Sequence, residues 1–266
     1  KGIALSNISP LLNIFIKSIR DIRKIVLRDF NEIEKLQSSL KNNYAFEQKT
    51  FYKTQEEITN ILKKIKPDYE ILENSNVFEK NCWVVDYRDY KFNFSRANDN
   101  LGIGVSLIKE NNLDLFIFYN PVKDEIFFFD KGQGAFKNDS RIRVSHRSKK
   151  NEIVVVVNKK LKKDDDKEVI KFLKNTFYEN SLIQRETGSL FIDLCDLASG
   201  KIDCMIFTNP NKQIKLIVNL ILSESGGNLY LLEHMNSNIY ITGNNLVGKT
   251  IKEMVEINIR NDESFN

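Results

Sequence analysis

Three apolar runs separated by turn residues restrict the fold of this chain more than any other feature. Residues 101–109 and 113–119 alternate around Asn111-Asn112, and a turn at 120–124 precedes a third run at 125–130. Asparagine, proline and aspartate favour the tight turns that join neighbouring antiparallel strands. The pattern therefore predicts an antiparallel meander in the middle of the chain.

Helical periodicity surrounds this meander on both sides. Apolar residues recur at spacings of three and four, which is typical of helices that bury one face. The predicted helices cover residues 8–40, 51–66, 164–178, 215–225 and 248–255, and a further helix follows Gly188-Ser189 and runs through Leu197. A strand is expected to end at Asp86, and others at 152–157, 203–207, 228–232 and 239–242. Helices and strands therefore alternate, which predicts an α/β protein in layers.

The meander is expected to close with a tight loop at 131–136 and a short exit strand at 142–144. We place a boundary near residue 148, in a lysine-rich stretch. Residues 1–148 would hold the first helices and the meander, and residues 149–266 an α/β half. Because 266 residues suit either one large domain or two joined halves, we expect these halves to form one compact unit.

Composition narrows the protein class only slightly. A net charge of +4 is weak support for a polyanionic partner. Cys82, Cys195 and Cys204 lack the spacing of a metal or redox pair and are interpreted as buried thiols in the cytoplasm. No apolar run approaches about 18 residues, so we expect no membrane span, and the first residues do not suggest a signal peptide.

The stretch 83–94 carries the clearest chemistry. A buried strand ends at Asp86, and Asp89 follows in a turn. Two carboxylates three residues apart can hold a hard divalent cation such as Mg²⁺, which takes oxygen ligands. Arg88 and Lys91 fit poorly in such a site, because their positive charges would repel the ion. The alternative is that the two aspartates simply cap the helix that follows them.

Several motifs together resemble the inositol monophosphatase family, most closely its bacterial SuhB-like branch. They match the family in order and spacing across nearly the whole chain, which makes the resemblance strong although each motif alone is modestly specific. The matching residues are Trp83, Asp86, Asp89, Asn93, Phe94, Tyr119-Asn120-Pro121, Asp124-Glu125, Lys131 to Phe136, Gly188-Ser189, Gly200, Asp203 and Glu224 to Gly227.

The resemblance implies a layered α-β-α-β-α sandwich of the inositol monophosphatase and sugar phosphatase type, with largely antiparallel and mixed sheets. It implies Mg²⁺-dependent hydrolysis of inositol phosphate or a similar small phosphomonoester, and a homodimer. Asp86 and Asp89 would be catalytic metal ligands, helped by Glu73 or Asn74, whichever occupies the family's glutamate position. The implied phosphate and substrate positions are Arg88, Tyr90, Lys91, Asn93, Gly188 and Ser189.

Departures from the family pattern predict that metal binding is weak. Ile214 falls where the family has a ligating aspartate, and Phe51 falls on another family aspartate. Tyr90 and Lys91 replace the glycine and threonine that present backbone N–H groups to phosphate. The sequence leaves open whether the bulky side chains of Tyr87 and Tyr90 block the cleft.

Two functions follow, and the sequence leaves both open. One is a magnesium-dependent phosphatase of low activity. The other is a non-catalytic scaffold that contacts transcription or ribosome-assembly proteins, since SuhB-type proteins take part in transcription antitermination and ribosomal RNA maturation. Separately, Arg88, Lys91, Lys212 and Lys215 could form a metal-independent pocket that binds phosphate directly but has no clear way to activate water. The alternative is that these side chains extend to solvent around a filled cleft.

Overall fold

The computed structural model describes residues 10–36, 40–78, 80–87, 89–158 and 166–265. Contacts divide the chain into two compact units, Lys1–Arg141 and Ile142–Asn266. Each unit has its own sheet and its own hydrophobic core. The domain boundary near residue 148 and the single compact body stay predictions.

The first unit opens with three helices, α1 (Pro10–Ile19), α2 (Ile22–Leu36) and α3 (Leu40–Ile65). The single helix predicted over 8–40 is wrong, because a turn at Arg20-Asp21 separates α1 from α2. No glycine or proline marks this break, and Ile19 and Ile22 are buried on either side of it. α3 also begins eleven residues before the predicted start at residue 51 (51 − 40 = 11).

A seven-stranded sheet follows the helices. Its strands are β1 (Glu70–Glu73), β2 (Cys82–Asp86), β3 (Ile103–Lys109), β4 (Asn112–Asn120), β5 (Glu125–Asp130), β6 (Gly134–Lys137) and β7 (Ser140–Arg141). They lie in chain order, with β1 and β2 parallel and every later pair antiparallel. The predicted meander is therefore confirmed. The short helix α4 (Tyr90–Phe94) lies between β2 and β3.

Two local predictions in this region are wrong. The expected loop at 131–136 is only a turn at its start, because Gly134 already begins β6. The expected strand at 142–144 does not form, and β7 ends at Arg141. Val144 already belongs to the second unit, and its N–H donates to the Ser225 carbonyl of that unit at 3.1 Å rather than to a strand.

The second unit holds a five-stranded mixed sheet. Its strands are β8 (Val154–Val157), β9 (Ile183–Arg185), β10 (Cys204–Thr208), β11 (Asn228–His234) and β12 (Ser237–Gly243). Their order across the sheet is β11-β12-β10-β8-β9, with β8 parallel to both of its neighbours and β12 antiparallel to both of its own. Its helices are α5 (Asp166–Glu179), α6 (Leu190–Ala198), α7 (Lys212–Ser225) and α8 (Asn245–Phe265).

The boundaries of α7 follow from its caps. The Asn211 side chain accepts a hydrogen bond from the Ile214 N–H at 2.9 Å, and Gly226 ends the helix with a φ of 79°. Such a left-handed conformation favours glycine, as the sequence predicted. α8 is longer than expected at both ends, and the predicted start of α5 at Asp164 lies outside the described residues.

The predicted fold class is confirmed, since both units combine a mixed sheet with helices. Within the described part of the chain, no helix is long and apolar enough to cross a membrane.

Candidate functional site

The two candidate aspartates follow an interior strand. β2 lies between β1 and β3, and all five of its residues are buried. Asp86, its last residue, is 1% exposed, and Asp89, in the turn before α4, is fully buried. The fold therefore places both carboxylates at the exit of the same strand, as the sequence predicted.

Glu73 and Asn74 occupy different surroundings beside this exit. Glu73 pairs with Val85 across the parallel β1 and β2, and its exposed carboxylate accepts a hydrogen bond from the Gln55 side chain of α3. Asn74 follows with a φ of 46° and donates its N–H to the Val85 carbonyl at 2.9 Å. Its side-chain oxygen accepts from the Tyr87 N–H at 3.3 Å. Asn74 therefore holds the backbone that leaves β2.

An aromatic cluster of Phe51, Tyr87 and Tyr90 packs against this turn. The Phe51 ring lies edge-on to Tyr87 with centroids 5.1 Å apart, and 6.2 Å from the Tyr90 ring. All three side chains are buried. These are three of the positions at which the sequence departs from the pattern it resembles. The fold brings Phe51 into contact with both tyrosines although it lies far from them along the chain.

The helix α4 extends the cluster. Tyr90 stacks on Phe94 with ring centroids 5.1 Å apart and an interplanar angle of 12°. Asn93 is also buried, and its side-chain amide donates to the Asn100 carbonyl at 2.5 Å. This residue, predicted to bind substrate, therefore fastens the loop that leads to β3.

Burial keeps both phenols of the cluster protonated. It is the main cause that raises the pKa of Tyr87, and the carboxylate of Glu73 adds to the effect. Burial likewise raises the pKa of Tyr90, opposed by the Thr54 hydroxyl and helped by the carboxylates of Asp29 and Glu47. Neither tyrosine can therefore act as an anionic ligand or base near neutral pH.

Asp29 is a buried acid that sequence reasoning missed. Thr50 donates its hydroxyl to Asp29 Oδ2 at 2.6 Å, and Arg28 Nε lies 2.7 Å from Oδ1. Burial acts to raise the pKa of Asp29, but the hydrogen bonds from Arg28 and Thr50 outweigh it and lower the pKa. A signal existed, because Asp29 follows Ile22 and Val26 on the apolar face of α2.

The phosphate-binding candidates of the second unit lie where α6 begins. Gly188 has a φ of 76°, and the buried Ser189 caps the helix by accepting from the Ile192 N–H at 3.2 Å. The Thr187 hydroxyl lies 2.7 Å from the Asp193 carboxylate and accepts from the Ser189 N–H. Ser189 thus has a structural role as an N-cap.

Ile214 lies in the first turn of α7 and is fully buried. An aliphatic side chain has no atom that can ligate a metal. Of the basic candidates, Lys212 and Lys215 are exposed on the same helix, Arg88 lies outside the described residues, and for Lys91 only the helical backbone is described. The residues that the structure covers contain no group of three or more His, Cys, Asp or Glu arranged to hold a metal ion.

The cysteines do not add a reactive group. Cys82, Cys195 and Cys204 are all buried free thiols. Burial, aided by the charge of Glu70, raises the pKa of Cys82 to about 11, and burial beside Asp203 raises that of Cys204. A thiol that stays protonated is a poor nucleophile, so thiolate chemistry is not expected at either position.

Comparison with known proteins gives the family. The model of the inositol monophosphatase family matches residues 7–253. A Nus factor SuhB from Buchnera aphidicola subsp. Schizaphis graminum is 28% identical over 230 residues, covering 82% of each chain. An inositol-1-monophosphatase from Mesorhizobium japonicum is 28% identical over 225 residues, covering 82% of this chain and 84% of its own.

Solved structures support the fold. The extragenic suppressor protein suhB of Bartonella henselae has a TM-score of 0.73 at 21% identity, over 94% of this chain and 99% of its own. The Thermotoga maritima IMPase TM1415 has a TM-score of 0.71 at 21% identity, over 94% and 98% of the two chains. Because the family model spans most of the sequence, this chain belongs to the inositol monophosphatase family.

Proposed function

We propose that this protein keeps the inositol monophosphatase fold but hydrolyses phosphomonoesters weakly or not at all. The observation that carries the proposal is the aromatic cluster of Phe51, Tyr87 and Tyr90. The family is generally metal-dependent, and Tyr87 and Tyr90 directly follow Asp86 and Asp89 in the chain. Buried rings packed together by Phe51 leave little room beside these aspartates for an ion and its water ligands.

The acidic residues also fit a multi-ion centre poorly. Divalent ions held about 4 Å apart repel each other, so several carboxylates must surround them. In the described ranges no group of three or more ligating side chains meets this need, and Ile214 offers no oxygen. We therefore propose that Mg²⁺, the ion expected from the resemblance, binds only weakly at Asp86 and Asp89.

A second candidate is a non-catalytic scaffold. It is favoured by relatives that bear the name Nus factor SuhB, among them one from Pasteurella multocida that is 24% identical over 254 residues. In this proposal the protein, as a homodimer, contacts transcription or ribosome-assembly proteins. A cytoplasmic location is proposed as well, supported by the three free and buried cysteines.

Calorimetric titration with Mg²⁺ and phosphate release from inositol monophosphate together test the first proposal. The Rhizobium meliloti inositol-1-monophosphatase, 26% identical over 258 residues, is the positive control. We expect the control to turn over substrate and this protein to release phosphate at least ~100-fold more slowly, since losses of ligands and their supporting partners multiply. Tight Mg²⁺ binding together with control-like turnover would contradict the proposal.

The scaffold proposal has its own test. Affinity purification from a lysate of the source organism, with the same Rhizobium enzyme as a parallel bait, is expected to recover transcription or ribosome-assembly proteins with this protein alone. Recovery of the same proteins by both baits, or of none, would argue against a scaffold function while leaving the first proposal intact.

A further inference from the structure

The second unit has a long open sheet edge. The sheet order places β11 and β9 at the two edges, and β11 has seven residues whereas β9 has three. β11 pairs with β12 along its whole length, and no other strand that the structure describes pairs with it. The outward backbone N–H and C=O groups of β11 can therefore accept another strand.

The first part of one face of this edge is apolar. Leu229 and Leu231 alternate along this face and are 36% and 53% exposed, and the exposed Glu233 follows them on it. Natural proteins usually blunt an open edge with lysine, proline, a bulge or a very short strand. β11 contains neither lysine nor proline and its pairing with β12 is regular, while β9 is blunted by its shortness.

A groove of about 230 Å³ runs beside this edge. It is lined by the stacked pair of Phe207 and Tyr240, whose ring centroids are 5.5 Å apart, by Val218 and Asn219 of α7, and by Leu229. Lys215 places its ammonium 5.6 Å from the centroid of the Tyr240 ring. No carboxylate among the described residues lies within ion-pair distance of it.

We propose that the outer edge of β11 is a docking site for an extended segment of a partner protein. The segment adds as a sixth strand, so that its backbone pairs with the free groups of β11. Its alternate apolar side chains cover Leu229 and Leu231, and an acidic side chain at one end lies beside Lys215. The carboxylate of this side chain forms an ion pair with the Lys215 ammonium. The site does not depend on whether the protein hydrolyses phosphomonoesters.

Three features select this occupant. Strand addition needs a long edge with free backbone groups, which β11 provides and β9 does not. A segment with apolar residues at every second position matches the alternation of Leu229 and Leu231, since neighbouring residues of a strand point to opposite faces. The unpaired cation at Lys215 favours an acidic ligand over a neutral or basic one.

A synthetic peptide tests the site directly. The probe is fluorescein-labelled, amidated Glu-Val-Thr-Val-Thr-Val-Thr, followed by fluorescence anisotropy with the full chain. Leu231→Lys is expected to weaken binding about tenfold or more, because it replaces an apolar side chain that the peptide would cover with a charge that would lose water. Ile183→Lys is the matched control, since Ile183 is 45% exposed on the other edge of the same sheet, and it should leave binding unchanged.

The charge is tested separately. Lys215→Met should weaken binding of the glutamate peptide roughly two- to fivefold, as expected for an exposed ion pair, and should not change binding of the peptide with glutamine in that place. A peptide with proline at alternate positions should not bind, because proline lacks the N–H that strand pairing needs. Leu229→Thr is a second, uncharged substitution at the edge and should also weaken binding. Circular dichroism melts of every variant distinguish loss of the site from loss of the fold.

Three results would overturn the proposal. One is the absence of saturable binding with a Kd below about 1 mM. A Kd of about 1 mM corresponds to a binding free energy of only about 4 kcal/mol. Another is an equal loss of binding in Leu231→Lys and Ile183→Lys. The third is a dimer, seen by sedimentation, that Leu231→Lys dissociates and the peptide does not, since a second copy would then occupy the edge.

Discussion

The two units differ in what surrounds their candidate positions. In the first unit Asp86 and Asp89 remain, but Phe51, which falls on a further aspartate of the resembled pattern, packs with Tyr87 and Tyr90. In the second unit Ile214 falls on such an aspartate as well, while the caps of its helix, Asn211 and Gly226, are in place. In the first proposal above, metal binding is therefore weakened in the first unit by apolar packing as well as by a replaced acid, and in the second unit by a replaced acid alone.

The largest expected effect is that of Phe51→Asp. A carboxylate in place of this ring would be buried against Tyr87 and Tyr90. The lost packing and the desolvation of an acid should lower the free energy of unfolding by about 4 kcal/mol, measured by urea denaturation. If the surroundings of position 51 were polar instead, the free energy of unfolding of Phe51→Asp would fall much less.

Tyr52→Asp is the matched control for this experiment. It lies next to Phe51 on α3 but is 63% exposed, so the same substitution should change stability by less than about 0.5 kcal/mol. Equal losses in the two variants would show that the cluster does not pack as described.

A smaller effect is expected in the second unit, from Ile214→Asp. Burial of the new carboxylate destabilises the protein, but the N-terminus of α7 favours a negative charge in its first turn. We expect a loss of about 2 kcal/mol in the free energy of unfolding, which is about half that for Phe51→Asp.

Ile214→Asn separates the charge from the change of shape. A carboxylate that completes a metal site would let Mg²⁺ raise the melting temperature of Ile214→Asp but not of Ile214→Asn, because a ligand that binds only the folded state stabilises it. If Mg²⁺ raises neither, the changed surroundings in the first unit are enough to prevent binding, and Ile214 is not the limiting loss.

Sequence reasoning reached those parts of the fold that depend on local signals. The meander followed from alternating apolar residues and turn-forming asparagines, and the end of α7 followed from Gly226. β1 was missed because it is short and partly exposed. The break between α1 and α2 was missed because Arg20-Asp21 contains neither glycine nor proline, and apolar residues continue at helical spacing on both sides of it.

The candidate site was predictable only in part. Asp86 and Asp89 could be placed at a strand exit, because they directly follow a buried apolar run. The contact of Phe51 with Tyr87 could not, since it joins α3 to a turn after β2 and depends on how the helices lie on the sheet. The sequence alone shows only that these residues differ from the family pattern. Their contacts in the fold give the physical reason why the differences act together.

The smallest expected effect sharpens the comparison in the first unit, where Asp29 is an acid held by the protein's own groups. Thr50→Val removes the hydroxyl that lies 2.6 Å from Asp29 Oδ2, which should lower the free energy of unfolding by about 1 kcal/mol at pH 7. The hydrogen bond from Thr50 helps to lower the pKa of Asp29. Its contribution is therefore present above the unfolded pKa and is lost as the pH falls through the folded one.

Urea denaturation of wild type and Thr50→Val between pH 7 and pH 3 measures this difference. The gap between the two proteins should narrow as Asp29 becomes protonated, below its ordinary pKa of 3.8. Thr54→Val is the control, since the Thr54 hydroxyl donates to the Thr50 carbonyl and not to Asp29. If the difference in the free energy of unfolding did not change with pH, Thr50 would stabilise the helices by packing alone. Its hydroxyl would then not stabilise the ionised form of Asp29.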